Sequence, residues 1–420
     1  MSEAAMNHRS PVRPFPVRLA FALLWLFVFS MPIEKSIEIP GLGTITKVVG
    51  LLAMASGLIA VVYEGRLRLP SPIHIILGIF VCWSALTLVW SLSPETTEAQ
   101  IVTSVQLWCL LWLVWQLCSD EKHVLSLMEA YVFGTIVPAV QVAQRFLIGA
   151  QAGYNRFSIE RFDPNDLALT LALSLPMSYY LTLRLNATRK WICRVQIMAA
   201  MAAIFLTGSR GGTLAMATGL SIVVWTFPAL SRRDRMTTGT VFALAAVLAI
   251  SFVPATSWKR LATLGSEVSE GTLNGRTTIW KAGWEAFTNA PFEGIGAGSY
   301  PETTVEVLGR PWGFVPVAHN SFLSILVETG LIGFAIFATA VTLALFSALR
   351  LPGISGWFWS TLLTAWAIGV FSLTWEYRKP TWLLFGLLTA HAATLLRHET
   401  STEHQSSELS PAYRCTERLV

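Results

Sequence analysis

Apolar runs long enough to cross a lipid bilayer recur about twelve times along the 420 residues of this chain. As helices, runs of roughly 17–25 residues span the ~30 Å hydrocarbon core of a membrane. The runs are Val17–Met31, Thr44–Tyr63, Pro72–Trp90, Ile101–Cys118, Val124–Ile148, Asn165–Leu183, Trp191–Leu206, Gly212–Pro228, Thr238–Pro254, Ser321–Leu349, Trp357–Trp375 and Pro380–Leu396. Because lipid offers a backbone no hydrogen bonds, only helices and closed barrels cross it. The sequence therefore predicts an all-α polytopic membrane protein with about twelve transmembrane helices.

The composition excludes a soluble globular domain. Hydrophobic residues make up 53% of the chain and charged residues only 13%, and the mean hydropathy is +0.55. The net charge of +5 follows from membrane topology and needs no nucleic-acid partner. Cys82, Cys109, Cys118 and Cys193 fall in or beside apolar runs, and Cys415 lies in the C-terminal tail. With no thiol or metal-binding motif on the outer side, we expect chemistry without a metal or cofactor.

Basic residues predict the orientation of the chain. If the N-terminus is inside, the inner segments contain Arg9, Arg13, Arg18, Arg66, Arg68, Arg184, Arg189, Lys190, Arg232, Arg233, Arg235, Arg350 and Arg397. The short outer loops hold few Lys or Arg residues, so both termini are predicted in the cytoplasm. We expect a cytoplasmic tail at residues 1–16, a membrane domain at 17–396 and a disordered cytoplasmic tail at 397–420. The first run lacks a signal-peptide cleavage site and is expected to remain in the protein.

One long polar stretch separates the ninth and tenth apolar runs, at about residues 255–320. The orientation above places it outside, where water and substrate can reach a catalytic group. Apolar side chains recur in it at helical spacing; they are Ile279, Trp280, Gly283, Trp284 and Phe287. This spacing predicts one amphipathic helix over Arg276–Thr288, lying along the membrane surface with its tryptophans toward the lipid.

His319 is the strongest single candidate for chemistry. It opens Ala318-His319-Asn320-Ser321, directly before the tenth run, and the orientation above places no other histidine outside. A lone histidine beside a helix start is more often structural than catalytic. Here its position and an unperturbed pKa of about 6.5 favour a general base at neutral pH.

Two arginines are candidates for binding an anion. Arg210 lies in Thr207-Gly208-Ser209-Arg210-Gly211-Gly212, a tight outer turn whose glycines allow positive φ and leave backbone N–H groups facing a ligand. Arg276 follows Asn274-Gly275 at the start of the amphipathic helix, where both the helix N-terminus and the guanidinium favour a phosphate. The alternative for each is an arginine that only reaches the lipid headgroups.

Further polar residues stand near these candidates. Glu328 is two turns into the run after His319, and a buried glutamate there is expected to have a partner, for which Arg210 is the natural choice. Arg156 and Arg161, with Asp163 and Asn165, precede the sixth run and either line the same cavity or cap that helix. Gly294–Tyr300 follows no strand, so it is interpreted as a glycine-rich outer turn and not as a nucleotide site.

Taken in order, these motifs resemble one family. They are Asp163-Pro164-Asn165, Gly208-Ser209-Arg210-Gly211-Gly212, Asn274-Gly275-Arg276, Gly294-x-Gly296-x-Gly298-x-Tyr300, His319-Asn320-Ser321 and Glu328-x-Gly330-x-x-Gly333. Each is weak alone. In this order, on a chain of about twelve spans with a large outer loop after the ninth, they resemble the O-antigen ligase and Wzy-type polymerase superfamily over essentially the whole chain apart from its tails.

This resemblance implies a GT-C-like glycosyltransferase of the bacterial inner membrane whose active site faces the periplasm. The implied donor is a polysaccharide on undecaprenyl pyrophosphate, and the acceptor is lipid A-core oligosaccharide or another glycan. His319 is the implied general base, and Arg210 and Arg276 the essential arginines. Expected substrate contacts come from Arg156, Arg161, Tyr300, Asn320 and Glu328. We favour a ligase over a polymerase. A lipid-linked glycan flippase would instead need ionisable residues near the bilayer midplane, and the candidates cluster at the outer face.

Overall fold

The computed structural model describes residues 13–41, 43–151, 156–262, 275–308 and 317–413, without the side chains of 261, 306–308 and 397–413. The described helices are α1 (Phe15–Ser30), α2 (Ile45–Glu64), α3 (Pro72–Leu86), α4 (Pro94–Leu117), α5 (Glu121–Leu147), α6 (Pro164–Arg184), α7 (Ala187–Thr207), α8 (Arg210–Thr226), α9 (Arg232–Phe252), α10 (Ala255–Ala262), α11 (Arg276–Asn289), α12 (Tyr300–Leu308), α13 (Ser321–Leu349), α14 (Gly353–Val370) and α15 (Lys379–Tyr413). A two-residue antiparallel hairpin joins α1 to α2, with β1 (Glu38–Ile39) paired to β2 (Gly43–Thr44).

Each predicted apolar run coincides with a helix, which confirms an all-α polytopic membrane protein. Among the described residues, nine helices are long and apolar enough to cross a membrane, so the count of twelve is not confirmed. The runs that fall short correspond to α6, α14 and α15. Of these, α6 is the central helix: its residues from Leu167 to Thr182 are all buried. The N-terminus of α6 therefore stands in the middle of one end of the bundle.

Two sets of ion pairs lie at opposite ends of the helix bundle. One end joins Glu34 to Lys379, Glu38 to Arg161 and Asp166 to Arg378. The other end joins Arg13 to Asp120, Glu121 to Arg184 and Arg194 to Asp234. Asp166 and Arg194 lie within the first four residues of their predicted spans. The other members of the first set lie in loops predicted to be outside, and those of the second set lie in segments predicted to be inside. The alternation of the predicted spans is thus matched by the packing.

The long loop between α9 and α13, which is predicted to lie outside and is called the outer loop below, has more structure than predicted. Besides the expected helix α11, it contains the short helices α10 and α12, while residues 263–274 and 309–316 lie outside the described part. Ile279 and Phe287 of α11 pack with Tyr300 and Val327 in a small second core. The helix is therefore docked on the protein, and only part of it, such as the 55% exposed Trp284, is free to meet lipid. At the other terminus α15 continues to Tyr413, through the first part of the tail expected to be disordered.

A glycine-rich turn fills a break in α13. At Gly330 the backbone leaves the helical conformation, with φ +66° and ψ −173°. The N–H groups of Ile295 and Gly296 donate to the carbonyls of Val327 and Glu328 (3.1 and 2.9 Å), which the break leaves without helical partners. Gly294, Gly296 and Gly298 all have positive φ, as the predicted turn requires. The turn thus fixes α11 and α12 against the outer third of α13.

Candidate active site

His319 ends the outer loop in a left-handed backbone conformation. Its φ of +47° costs ~1–3 kcal/mol in a residue with a Cβ. Two hydrogen bonds hold it: the His319 N–H donates to the Thr374 hydroxyl (3.0 Å), and the Trp280 indole N–H donates to the Ala318 carbonyl (2.8 Å). The imidazole is half-buried and makes no hydrogen bond within the described residues. Both ring nitrogens therefore remain available to a substrate.

Arg276 is positioned by the docking of α11. Trp280, which bonds the residue before His319, lies one turn beyond Arg276, so this hydrogen bond holds the start of α11 beside the histidine. The Tyr300 hydroxyl donates to the Ile279 carbonyl (3.0 Å) and holds the same turn from below. Like the imidazole, the Arg276 guanidinium is half-buried and has no hydrogen bond or ion pair among the described residues.

Arg210 and Arg156 meet at the turn between α7 and α8. Gly208 ends α7 with a positive φ, and the Ser209 hydroxyl caps α8 by accepting from the Gly212 N–H (3.2 Å). The Arg210 Nε donates to the Arg260 carbonyl (2.9 Å). From the loop before α6, the 8% exposed Arg156 donates to the Thr207 carbonyl and to the Asn165 side chain, both at 2.7 Å. The sequence left two alternatives for Arg156, lining the same cavity as Arg210 or capping α6. The structure places Arg156 against the turn that carries Arg210.

Electrostatic effects group these side chains into one site. Burial lowers the pKa of Arg156 to about 10, and the nearby charges of Arg260, Arg276 and Arg210 add to that effect. Burial also lowers the pKa of Arg276, with a further contribution from Arg210, while Asp163 opposes both shifts. Because guanidinium groups outnumber carboxylates here, the site has a surplus of positive charge that suits an anion.

The charge state of His319 depends on the same groups. Burial lowers the pKa of its imidazole below the ordinary 6.5, and the positive charge of Arg276 lowers it further. Asp163 and Asp166, at the N-terminus of α6, act in the opposite direction. The neutral imidazole, which can accept a proton, is therefore the main form at neutral pH.

The expected pairing of Glu328 with Arg210 is wrong. The Glu328 carboxylate accepts from the Gly298 N–H (2.8 Å), the Tyr300 N–H (3.4 Å) and the Ser324 hydroxyl (3.4 Å). These donors belong to the glycine-rich turn and to α13 itself, and the Tyr377 hydroxyl donates as well (3.5 Å). Arg210 is not among its partners. The prediction failed because backbone N–H groups donate to this carboxylate, and every residue except proline carries such a group. The residue types in a sequence therefore do not indicate this kind of partner.

Glu376 is a second buried carboxyl, which the sequence analysis missed. It is 1% exposed, and neither carboxylate oxygen has a hydrogen bond within the described residues. It lies in the loop between α14 and α15, two residues after the Thr374 that holds His319. Burial raises its pKa to about 7. The sequence offered one signal: three charged residues, Glu376, Arg378 and Lys379, lie close together in a short loop. This loop is at the end of the bundle that carries His319.

The other predicted substrate residues have different surroundings. Asn320 caps α13 by accepting from the Phe322 and Leu323 N–H groups (both 3.1 Å). Tyr300 is 1% exposed, with its hydroxyl directed at α11. Arg161 is exposed and paired with Glu38 in a polar cavity that also includes Asp166 and Arg378. The structure thus brings His319, Arg276, Arg210 and Arg156 together, and places Arg161 in the adjoining cavity.

Within the described residues, no three His, Cys, Asp or Glu side chains converge to hold a metal ion. Metal independence stays a prediction.

Comparison with known proteins agrees with these motifs. Residues 196–338, from the middle of α7 to the middle of α13, match the O-antigen ligase family, Wzy_C. The matched range includes Arg210, Arg276 and His319. The chain is also 26% identical over 200 residues to the exopolysaccharide production protein ExoQ of Rhizobium meliloti strain 1021, an alignment that covers 44% of this chain and 45% of that protein. Over residues 196–338 this chain is thus similar to the O-antigen ligase family, and the similarity to ExoQ supports the wider O-antigen ligase and Wzy-type polymerase superfamily.

Proposed function

We propose that this protein is an inverting glycosyltransferase that moves a glycan from undecaprenyl pyrophosphate to an acceptor hydroxyl at the periplasmic face of the bacterial inner membrane. The observation that carries the proposal is that the His319 imidazole and the Arg276 guanidinium, which have no partner among the described residues, lie beside Arg210 and the buried Arg156. A base and an anion site are the two elements that such a transfer requires.

In the proposed reaction the acceptor oxygen attacks the anomeric carbon of the donor as the carbon–oxygen bond to pyrophosphate breaks. His319 takes the proton of the acceptor hydroxyl. The bonding electrons leave with undecaprenyl pyrophosphate, whose growing negative charge is stabilised by Arg276 and Arg210. Attack from the face opposite the leaving group inverts the anomeric configuration. No covalent intermediate, metal or cofactor is needed.

The remaining candidates take supporting roles in this proposal. Arg156 adds charge behind Arg210 and orients Asn165. Asn320, Tyr300 and Glu328 position His319 and α11 through the hydrogen bonds described above. Arg161 lines the polar cavity beside Glu38 and Asp166.

We favour a ligase that transfers O-antigen to lipid A-core oligosaccharide. The specific observation in favour of a polymerase is the similarity to a protein named for exopolysaccharide production. Deleting the gene and separating the lipopolysaccharide on a gel distinguishes the two. Bare core with accumulated lipid-linked polymer indicates a ligase, whereas core capped by a single repeat unit indicates a polymerase. Unchanged lipopolysaccharide and exopolysaccharide would exclude both.

Purified variants test the assigned roles. His319→Ala should lower turnover by ~10²–10⁴-fold with nearly normal donor binding, because the imidazole contacts the acceptor. Arg210→Ala and Arg276→Ala should weaken donor binding along with rate, and Lys should restore only part of it, because an ammonium lacks the two-pronged geometry of a guanidinium. Arg350→Ala, at the opposite end of the bundle, is the control. Loss of donor binding in His319→Ala equal to that in the arginine variants would contradict the assignment.

A further inference from the structure

Two adjoining cavities are lined by none of Arg156, Arg210 and Arg276. The first is an apolar groove of about 370 Å³ between α2 and α4, lined by residues that include Met54, Cys109 and Leu110. The second is a polar cavity of about 430 Å³ at the outer end, lined by Glu34, Arg161, Asp166 and Arg378 among others. Thr103, Tyr377 and Lys379 line both, so the two cavities adjoin at these side chains.

The groove has the position and length expected for a hydrocarbon chain. Its lining on α2 runs from Lys47 to Met54. These two residues are seven steps apart, so the helix descends about 10 Å between them, from the outer end toward the bilayer centre. Neighbouring α2 side chains such as Leu51 and Ile59 are exposed, 68% and 61%, so this helix faces lipid. Lys47 stands at the outer mouth, exposed and without a side-chain partner among the described residues. A hydrocarbon chain entering from the membrane would contact the apolar side chains of the groove, and its polar headgroup would lie beside the Lys47 ammonium.

The polar cavity suits sugar hydroxyls. Its ionic groups alternate in sign, with Glu34 paired to Lys379, Glu38 to Arg161 and Asp166 to Arg378. Paired charges offer donors and acceptors side by side, which neutral hydroxyl groups can use, whereas a pyrophosphate favours the surplus of arginines around Arg210 and Arg276.

The loop between α14 and α15 both lines the polar cavity and holds His319. Trp375 and Tyr377 line the cavity, and the same loop holds the histidine through Thr374 and binds Ser321 through the Trp375 N–H (2.7 Å). At the N-terminus of α6, Asn165 contacts the arginine group through Arg156, while Asp166 accepts from the Trp375 indole (3.0 Å) on the cavity side. His319, the proposed base, therefore lies between the arginine group and the polar cavity.

We propose that the groove and the polar cavity together bind a lipid-anchored acceptor, with one hydrocarbon chain between α2 and α4 and the acceptor sugar over Asp166 and Trp375. This inference rests on the proposed glycosyl transfer and assigns the side from which the acceptor hydroxyl reaches His319. The donor pyrophosphate then occupies the arginine side, so that both substrates enter laterally from the membrane at opposite faces of the bundle.

Filling the groove tests the proposal in the reconstituted full-length protein. Met54→Trp should raise the KM for the acceptor by about tenfold, because several methylene groups of the chain lose their contacts, and should leave the KM for the donor unchanged. Leu58→Trp, one turn deeper on the lipid-facing side of α2 and outside the groove lining, is the matched control. Equal kinetics for the two variants, or a rise confined to the donor KM, would overturn the assignment.

Photolabelling gives a second readout that does not depend on folding of a variant. A glucosamine glycolipid with a diazirine in its fatty acyl chain should label peptides of α2 and α4 in the wild-type protein, and the unlabelled acceptor glycolipid should compete. Equal labelling by a diazirine phosphatidylglycerol, with no competition by acceptor, would mean an ordinary membrane lipid and overturn the proposal. Absence of any glycosyl transfer by the wild-type protein would instead reject the proposed function, whatever the labelling pattern.

Discussion

At the scale of single residues, the protonation of His319 depends on its burial and on charged groups from two other parts of the chain. Burial lowers the pKa of the imidazole, Arg276 lowers it further, and Asp163 and Asp166 raise it. If His319 is the base, activity should fall as the pH decreases through this pKa, below 6.5. Changing a neighbouring charge should therefore move the acid side of the pH–rate profile in a direction given by the sign of that charge.

Two substitutions with opposite expected effects test this. Arg276→Gln removes a positive neighbour, so the pKa of His319 should rise and the acid limb should move to higher pH. Asp163→Asn removes a negative neighbour and should move the limb to lower pH, while asparagine still caps α6. Each profile of kcat/KM is normalised to its own maximum, so that loss of donor binding in the arginine variant does not matter. Shifts of the same sign in both variants would reject His319 as the titrating base.

Glu376 should make the stability of the protein depend on pH. Its folded-state pKa of about 7 lies above the ordinary 4.5, so its contribution to stability is full below pH 4.5 and is lost as the pH rises through 7. The cost of ionisation reaches about 3 kcal/mol above pH 7. Glu376→Gln should therefore unfold at a higher temperature than wild type at pH 8 and show little difference at pH 5. Glu285→Gln, at an exposed site on α11, is the control, and a pH-independent gain would contradict the assignment.

The sequence predicted the residues whose signal is local and missed those whose role depends on a distant partner. His319 and Arg210 stand out because each is a polar residue beside a predicted span, and Arg276 because it opens the predicted amphipathic helix. Glu376 and Thr374 do not, because they matter only through α13, whose start lies some fifty residues earlier in the chain. The same long-range packing explains the wrong partner for Glu328, which bonds a glycine turn about thirty residues before it.

At the scale of helices, the break in α13 at Gly330 is the feature on which the outer loop depends. A Cβ on Gly330 would collide with the Phe292 carbonyl, and its φ of +66° is strained for any other residue. Gly330→Ala should therefore displace the glycine-rich turn, and with it α11 and Arg276, so that donor affinity and thermal stability both fall. Gly239→Ala, on α9 with nothing within 4 Å, should be neutral or slightly stabilising. Normal donor binding by Gly330→Ala would show that the break does not position the site.

Helices were predictable here because the bilayer forces every spanning backbone into them. Hydropathy could not reveal that α13 is interrupted, since the break occupies a few residues within a long apolar run. The helices α10 and α12 were missed because they are short and have too few apolar residues for a helical period to be recognised. Their conformation comes from docking on neighbouring helices, which a single sequence does not display.

For the whole molecule, the decisive question is which end of the bundle faces outward. Single cysteines replacing Glu38 and Glu160 should react with an impermeant maleimide in intact cells, whereas those replacing Arg66 and Arg233 should react only after permeabilisation, in a chain whose native cysteines are removed. The ion pairs Glu38–Arg161 and Glu34–Lys379 place the first two positions at the end that carries His319. Two failures would mean different things. If the two members of one set labelled from opposite sides, the arrangement of the spans would be wrong. If both sets were reversed together, the fold would stand, but His319 and the arginines would face the cytoplasm, and transfer from a carrier presented on the outer leaflet would be excluded.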